Sequence, residues 1–296
     1  MTREITAEQA TAAVAHHGEG PVWDASSRVL ASVDMLRGDL LTIGLPHAGP
    51  EPAEVRRRHV GDVLAALRPR ARGGWVVALE RGFGLLDEPG SANGTGPARP
   101  LGELWSDPGI RMNDGGCDPA GAFWCGSMAY DAASGRGSLF RLATDGSVAT
   151  MLTGITISNG LCWVPDGSRA YYVDTPTGRI DVLAVDLDAP AVIGREPFTE
   201  VAGGAPDGLT VDAEGGVWVA LWGGSAVHRY TPDGVLDTVV RVPTTHPTAC
   251  AFAGPDLDEL WITTSQQGTG VTDGRAGALY RCRPGVRGLE PLPYLG

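Results

Sequence analysis

Laid against itself, the chain repeats one unit: a small turn, an apolar run, a second turn rich in Asp, Gly and Pro, then a second run carrying Trp or Tyr. Five segments show it plainly: Glu19-Gly-Pro-Val-Trp-Asp24, Asn113-Asp-Gly-Gly-Cys-Asp118, Asn159-Gly-Leu-Cys-Trp-Val164, Asp207-Gly-Leu-Thr-Val-Asp212 and Thr248-Ala-Cys-Ala-Phe-Ala253. From Asn113 onward their first residues are spaced by 46, 48 and 41 positions, and Glu19 stands 94 positions before Asn113, which is room for two units. The weaker stretch Val63–Leu67, followed by Gly73–Ala78, fills that gap, so six units span the chain. A period in the forties made of short strands and turns is the period of a four-stranded propeller blade. The expected fold is therefore all-β, a single six-bladed β-propeller over residues 1–296. Second strands are expected at 29–33, 123–128, 170–173, 217–221 and 260–263. Helical repeats of this length would need two amphipathic stretches per unit, and only Ala7–Ala15 has helical periodicity.

The 43 glycines and 22 prolines lie between the apolar runs, where tight turns need them. Pro89–Pro100 is a low-complexity insertion in the second unit and reads as a disposable surface loop, with a lid at one channel mouth as the alternative. A formal net charge of -12 repels polyanions, so neither nucleic acid nor an anionic membrane is an expected partner. Arg56-Arg57-Arg58, the one basic run, reads as a solvated strand edge. All 23 basic residues are arginine, which excludes Schiff-base and lysine-nucleophile chemistry. The first ten residues carry early acids and no apolar core, and no later stretch holds 18 uninterrupted apolar residues. Neither a leader nor an anchor is expected, and the location expected is cytoplasmic, with no obligate protein partner. Cys117, Cys125, Cys162, Cys250 and Cys282 form no CxxC pair and are expected as reduced, mostly buried thiols.

In a propeller the first strand of each blade lines the central channel, so equivalent positions at the strand starts form a ring. In this register the ring is Glu19, Asn113, Asn159, Asp207 and Thr248, with Val63 or Leu64 from the second unit. Acids and amides converging on a narrow channel are costly to desolvate, and the carboxylates repel each other. One divalent metal ion resolves the conflict. Oxygen-only ligands suit a hard ion, Ca2+ first, with Mg2+ or Mn2+ next and Zn2+ completed by water still open. Pro-Asp-Gly is also an ordinary turn. Pro165-Asp166-Gly167 and Pro232-Asp233-Gly234 follow apolar runs and read as turns, whereas Pro206-Asp207-Gly208 precedes one, in the register of Glu19 and Asn159.

The runs Gly18-Glu-Gly-Pro-Val-Trp-Asp24, Arg111-Met-Asn-Asp-Gly115 with Asp118-Pro-Ala-Gly121 and Gly126-Ser-Met128, Ser158-Asn-Gly-Leu161, and Pro206-Asp-Gly208 together resemble the SMP-30/gluconolactonase/luciferin-regenerating (regucalcin-like) family. The resemblance runs from about Gly18 to Phe252. It implies a six-bladed propeller that opens sugar lactones with a divalent metal held by Glu19, Asn159 and Asp207. It also implies that Arg111 and Asn113 contact substrate, Asn113 near enough to be a fourth or water-mediated ligand, and that Asp207 takes the proton of the attacking water. Where many members carry a glutamate that touches substrate hydroxyls, this chain has Tyr130-Asp131. Asp131 is the substrate-binding candidate there, with altered reach.

The expected partner is a small-molecule lactone. Phosphotriester hydrolysis on the same site, a non-catalytic calcium-binding role and a biosynthetic enzyme built on the scaffold are the competing readings. No Gly-x-Ser-x-Gly elbow or Ser-His-Asp set is evident. His16, His17 and His246 flank ring positions and read as ordinary loop histidines, with contact to substrate at the channel mouth as the alternative.

Overall fold

The computed structural model describes residues 2–45, 54–87, 96–164, 167–187, 189–270 and 274–296. Six antiparallel four-stranded sheets follow one another along the chain and form the blades of a six-bladed β-propeller. Their first strands are Gly18–Asp24, Leu64–Pro69, Ile110–Cys117, Ser158–Trp163, Ala205–Val211 and Pro247–Ala253. Each packs against the next, and the sixth packs against the first. The second strands, Val29–Asp34, Trp75–Leu79, Phe123–Ala129, Arg169–Asp174, Val217–Trp222 and Glu259–Thr264, contain all five predicted spans. These middle strands are continuous apolar runs because neighbouring blades cover both of their faces. Outer strands such as Val55–His59 and Ala191–Glu200 alternate with solvent and carry the charge. The Arg56–Arg58 run lies on one of them.

The chain closes the ring with its own beginning. Glu8–Gln9 is the outer strand of blade 6, paired antiparallel with Tyr280–Cys282. Arg3–Thr6 adds a parallel fifth strand to blade 5, along Thr238–Arg241. Ala7–Ala15, whose periodicity is helical, is therefore not a helix: an unpaired sheet edge offers it more backbone hydrogen bonds than an isolated turn could. Among the described residues the helical content is two three-residue 3-10 turns, Met35–Arg37 and Thr175–Thr177. No described helix is long and apolar enough to cross a membrane. The insertion at 89–100 falls largely outside the described residues; Ala98 is buried and Arg99–Glu103 is the outer strand of blade 2. Pro165-Asp166 also lies outside them, while 232–233 form the expected turn. All five cysteines are free thiols, four of them buried.

Two buried carboxylates lock blades internally. In blade 3, Asp118 accepts the Trp124 indole N–H and the Arg141 Nε–H, both at 2.8 Å, on one oxygen and the Ala122 amide on the other. In blade 5, Asp212 does the same for Trp218 and Arg229, at 2.8 and 2.7 Å. Each carboxylate thus anchors a second-strand tryptophan and a third-strand arginine to the end of the first strand.

One irregularity recurs in all six blades. The pairing of first and second strands shifts register between Glu19 and Val22, Leu64 and Ala66, Met112 and Gly115, Asn159 and Leu161, Pro206 and Leu209, and Pro247 and Ala249. A bulge frees residues from the ladder and re-aims their side chains. The freed positions include Asn113, Asp207 and Thr248, and Glu19 and Asn159 stand at the shift itself.

A candidate metal and substrate site in the central channel

Three of the ring residues are followed by glycine, Gly20 for its left-handed backbone at φ 52° and Gly160 and Gly208 for a steric reason. A Cβ on Gly160 would lie 2.8 Å from the Asp207 carbonyl oxygen, and one on Gly208 would lie 2.8 Å from the Ala249 Cα. At these two places the first strands of neighbouring blades crowd the axis so closely that the residue below the polar side chain must be small. Asn113 is followed instead by Asp114, whose carboxyl is buried and accepts the Gly115 amide at 2.7 Å.

Glu19, Asn113, Asn159 and Asp207 are all buried, none more than 5% exposed. Burial raises the Glu19 carboxyl well above its ordinary range, and repulsion from Asp207 and Asp114 raises it further. Asp207 is raised in the same way by burial and by Asp114. Among the described residues, the Glu19 carboxylate accepts one hydrogen bond, from the Gly20 amide at 3.1 Å. Two acids in mutual repulsion, each short of donors, are what a cation would relieve.

The amides add oriented dipoles. Asn159 donates its Nδ2 to Thr175 Oγ1 at 2.8 Å, and Thr175 donates in turn to the Pro206 carbonyl oxygen. This leaves Asn159 Oδ1 to accept from Asn113 Nδ2 at 3.0 Å. Asn113 also donates to the Ser158 carbonyl oxygen at 2.8 Å and accepts Arg111 Nη1–H at 2.6 Å, so its own amide oxygen is committed to Arg111. Among the described residues no three His, Cys, Asp or Glu side chains form a metal-binding group. The candidate set is two carboxylates plus carboxamide oxygen, an all-oxygen set that fits a hard cation.

Arg111 is buried beside these acids. Its Nη1 also reaches the Met112 carbonyl oxygen and Met35 Sδ, while Nε and Nη2 have no partner among the described residues. The Tyr130 ring lies 5.7 Å from its guanidinium carbon. Three rings from blades 1, 5 and 6 pack together. Trp222 stacks on His246 at 4.1 Å and meets His17 edge-on at 5.9 Å. Burial and the Arg111 charge push His17 down to about 3, so its ring is neutral, and its Nδ1 pairs with Ser265 Oγ at 2.8 Å.

Other sequence candidates sit differently. Thr248 donates to the Gly18 carbonyl oxygen at 2.6 Å and stitches blade 6 to blade 1. Val63 and Leu64 are buried apolar side chains, so blade 2 brings no oxygen to the ring. His16 lines a separate cleft with Arg37 and Arg57. Asp131 is exposed, and its Oδ1 accepts the Ala133 amide of its own turn at 3.0 Å. Side chains that the repeat pattern did not single out are also here. Asp114 was visible as the one acid where other units place glycine, whereas Thr175, Trp222 and Glu80 lie on second-strand ends whose register with the ring is tertiary.

Residues 17–266 match the SMP-30/Gluconolactonase/LRE-like region. A pentonolactonase of Haloferax volcanii is 36% identical over 275 residues, covering 89% of each chain. A 6-deoxy-6-sulfogluconolactonase of Pseudomonas putida is 32% identical, covering 93% of this chain and 94% of its own. Among solved structures, regucalcin of Agrobacterium tumefaciens, described as a calcium-binding protein, superposes with a TM-score of 0.87 at 29% identity over 99% of both chains.

Proposed function

The chain belongs to the SMP-30/gluconolactonase/LRE-like family, and from that premise we propose that it is a divalent-metal-dependent lactonase acting on a sugar lactone or a related cyclic ester. The observation that carries this reading is the pair of buried, mutually repelling carboxylates, Glu19 and Asp207, beside Asn159 at the strand bulges. The sugar lactonases among the relatives support the substrate class, and the calcium-binding relative supports Ca2+ as the first metal to test.

Glu19, Asp207 and the Asn159 oxygen would hold the ion. Bound there, it supplies a Lewis acid for the carbonyl oxygen and for the charge that develops on it. Asp207 accepts the proton of the water that attacks the carbonyl carbon. The ring C–O bond then breaks, and the alkoxide leaves with that proton as the hydroxyl of the hydroxy acid. Arg111 offers the two guanidinium nitrogens that no described residue occupies to a substrate oxygen. Asn113, held by Arg111 and Asn159, keeps that guanidinium aimed at the ring.

The test is a pH-indicator assay over a lactone panel and a phosphotriester, on protein stripped of metal and then given Ca2+, Zn2+, Mn2+ or Mg2+ in turn. Lactone opening that vanishes on stripping and returns with one ion is the expected result. Asp207→Ala should lower kcat by about 1000-fold or more with its circular dichroism unchanged. Turnover that survives both chelation and Asp207→Ala would refute the assignment. Faster cleavage of the phosphotriester than of any lactone would move the activity to that class.

A further inference from the structure

Glu80 follows the second strand of blade 2, Trp75–Leu79, and stands beside Arg111 because its carbonyl oxygen accepts the Met112 amide at 2.7 Å. Its Oε1 accepts the Tyr130 hydroxyl at 2.6 Å, and the Tyr130 ring in turn covers Arg111. A hydrogen-bonded and stacked series therefore runs from Glu80 through Tyr130, Arg111 and Asn113 to Asn159. The neighbouring Arg81 is held by Glu103 at 2.7 Å, and among the described residues Glu80 forms no ion pair. Its second oxygen has no partner among them either. Glu80 also lines a cleft of about 210 Å³ over blade 2, with Asp62, Arg81, Gly102 and Glu103.

A half-buried carboxylate that lines a cleft, with one oxygen pinned by a phenol and the other without a partner among the described residues, accepts hydrogen bonds and donates none. We propose that Glu80 is a specificity-determining residue that accepts hydrogen bonds from substrate hydroxyls remote from the reacting carbonyl, with Tyr130 holding its rotamer. The inference rests on the lactonase reading and deepens it: the substrate is polyhydroxylated, and its hydroxyl-bearing end lies over blade 2 while its carbonyl faces the ring. A site built around a hydroxyl discriminates strongly against an analogue that lacks one.

The experiment compares kcat/KM for an aldonolactone with that for unsubstituted δ-valerolactone, in wild type, Glu80→Gln and Tyr130→Phe. Glu80→Gln should lower the ratio about 10- to 100-fold, mainly through the KM of the sugar lactone, and Tyr130→Phe by a few-fold. Titration calorimetry with the ring-opened aldonate should show the same weakening. An unchanged ratio in Glu80→Gln, or an equal fall on both lactones, overturns the proposal. Wild-type protein that opens no lactone sinks the underlying reading instead, and aldonate affinity then still reads Glu80: about tenfold weaker binding in Glu80→Gln upholds its hydroxyl contact, and unchanged binding overturns it.

Discussion

Glu19 is worth more to the site as a charge than to the fold. Burial and Asp207 together raise its proton affinity, so in the absence of a cation the folded state binds protons more tightly than the unfolded chain. The stability that Glu19 contributes is present at acid pH and is lost as pH rises through its elevated folded pKa. Metal-free wild type should therefore unfold at lower urea as pH rises from about 5 to 8. Glu19→Gln should flatten that dependence and stabilise the metal-free protein at pH 8 by about 2 kcal/mol, since it removes one of two facing charges. The same variant should lose the stabilisation that wild type gains from metal, about 2.7 kcal/mol at an ion concentration 100-fold above Kd. A metal-free Glu19→Gln protein less stable than wild type at pH 8 would mean that the carboxylate already has a partner that the structure does not show.

At the scale of the element, the two tethered carboxylates make predictions of different size from similar geometry. Asp118 and Asp212 are both fully buried, and each accepts an indole N–H and an arginine Nε–H. Arg141, however, pairs with Asp118 alone among the described residues, whereas Arg229 also pairs with Glu214 and Asp237. Removing Asp118 strands a buried guanidinium, so Asp118→Ala should cost about 3 to 5 kcal/mol. Asp212→Ala should cost less, because Arg229 keeps two carboxylates. Urea midpoints of the two variants measure the difference, and equal losses would show that the tryptophan anchor, not the ion pair, carries the energy. The strand bulges belong to this scale too. Glu19, Asn159 and Asp207 reach the channel because each sits at or beside a register shift and is followed by a glycine: a side chain on Gly160 or Gly208 would strike the next blade, whereas Gly20 is needed for its left-handed backbone at φ 52°.

For the whole molecule, closure is the weak seam. Two short N-terminal strands complete blade 6 and extend blade 5, and beyond them the backbone ties between the segment entering blade 1 and blade 6 are a bridge of His17 with Ser265 and a few single hydrogen bonds, such as Gln266 N–H to the His16 carbonyl oxygen. Deleting residues 1–9 removes roughly six backbone hydrogen bonds, about 3 kcal/mol at 0.5 kcal/mol each. It also exposes the Tyr280–Cys282 edge to pairing with other chains. A lower urea midpoint with concentration-dependent aggregation is the expected result in light scattering. An unchanged midpoint would place the closure in the packing between the first strands instead.

The six units, five of the second-strand spans and the polar residues leading five of the first strands were legible in the linear order. Strand alternation, turn chemistry and a fixed period are local properties that repeat wherever the same unit is built. Ala7–Ala15 misled because its final partners, near Arg241 and Leu279, lie more than 200 residues away. Glu80, Thr175 and Trp222 were silent for a related reason: each stands at or just past the end of a second strand, and hairpin register within a blade places Thr175 and Trp222 while packing against blade 3 places Glu80. The periodic chain by itself determined the architecture and the ring. Tertiary packing alone decided which side chains surround that ring, because contacts between blades depend on how separate sheets pack and not on spacing along the backbone.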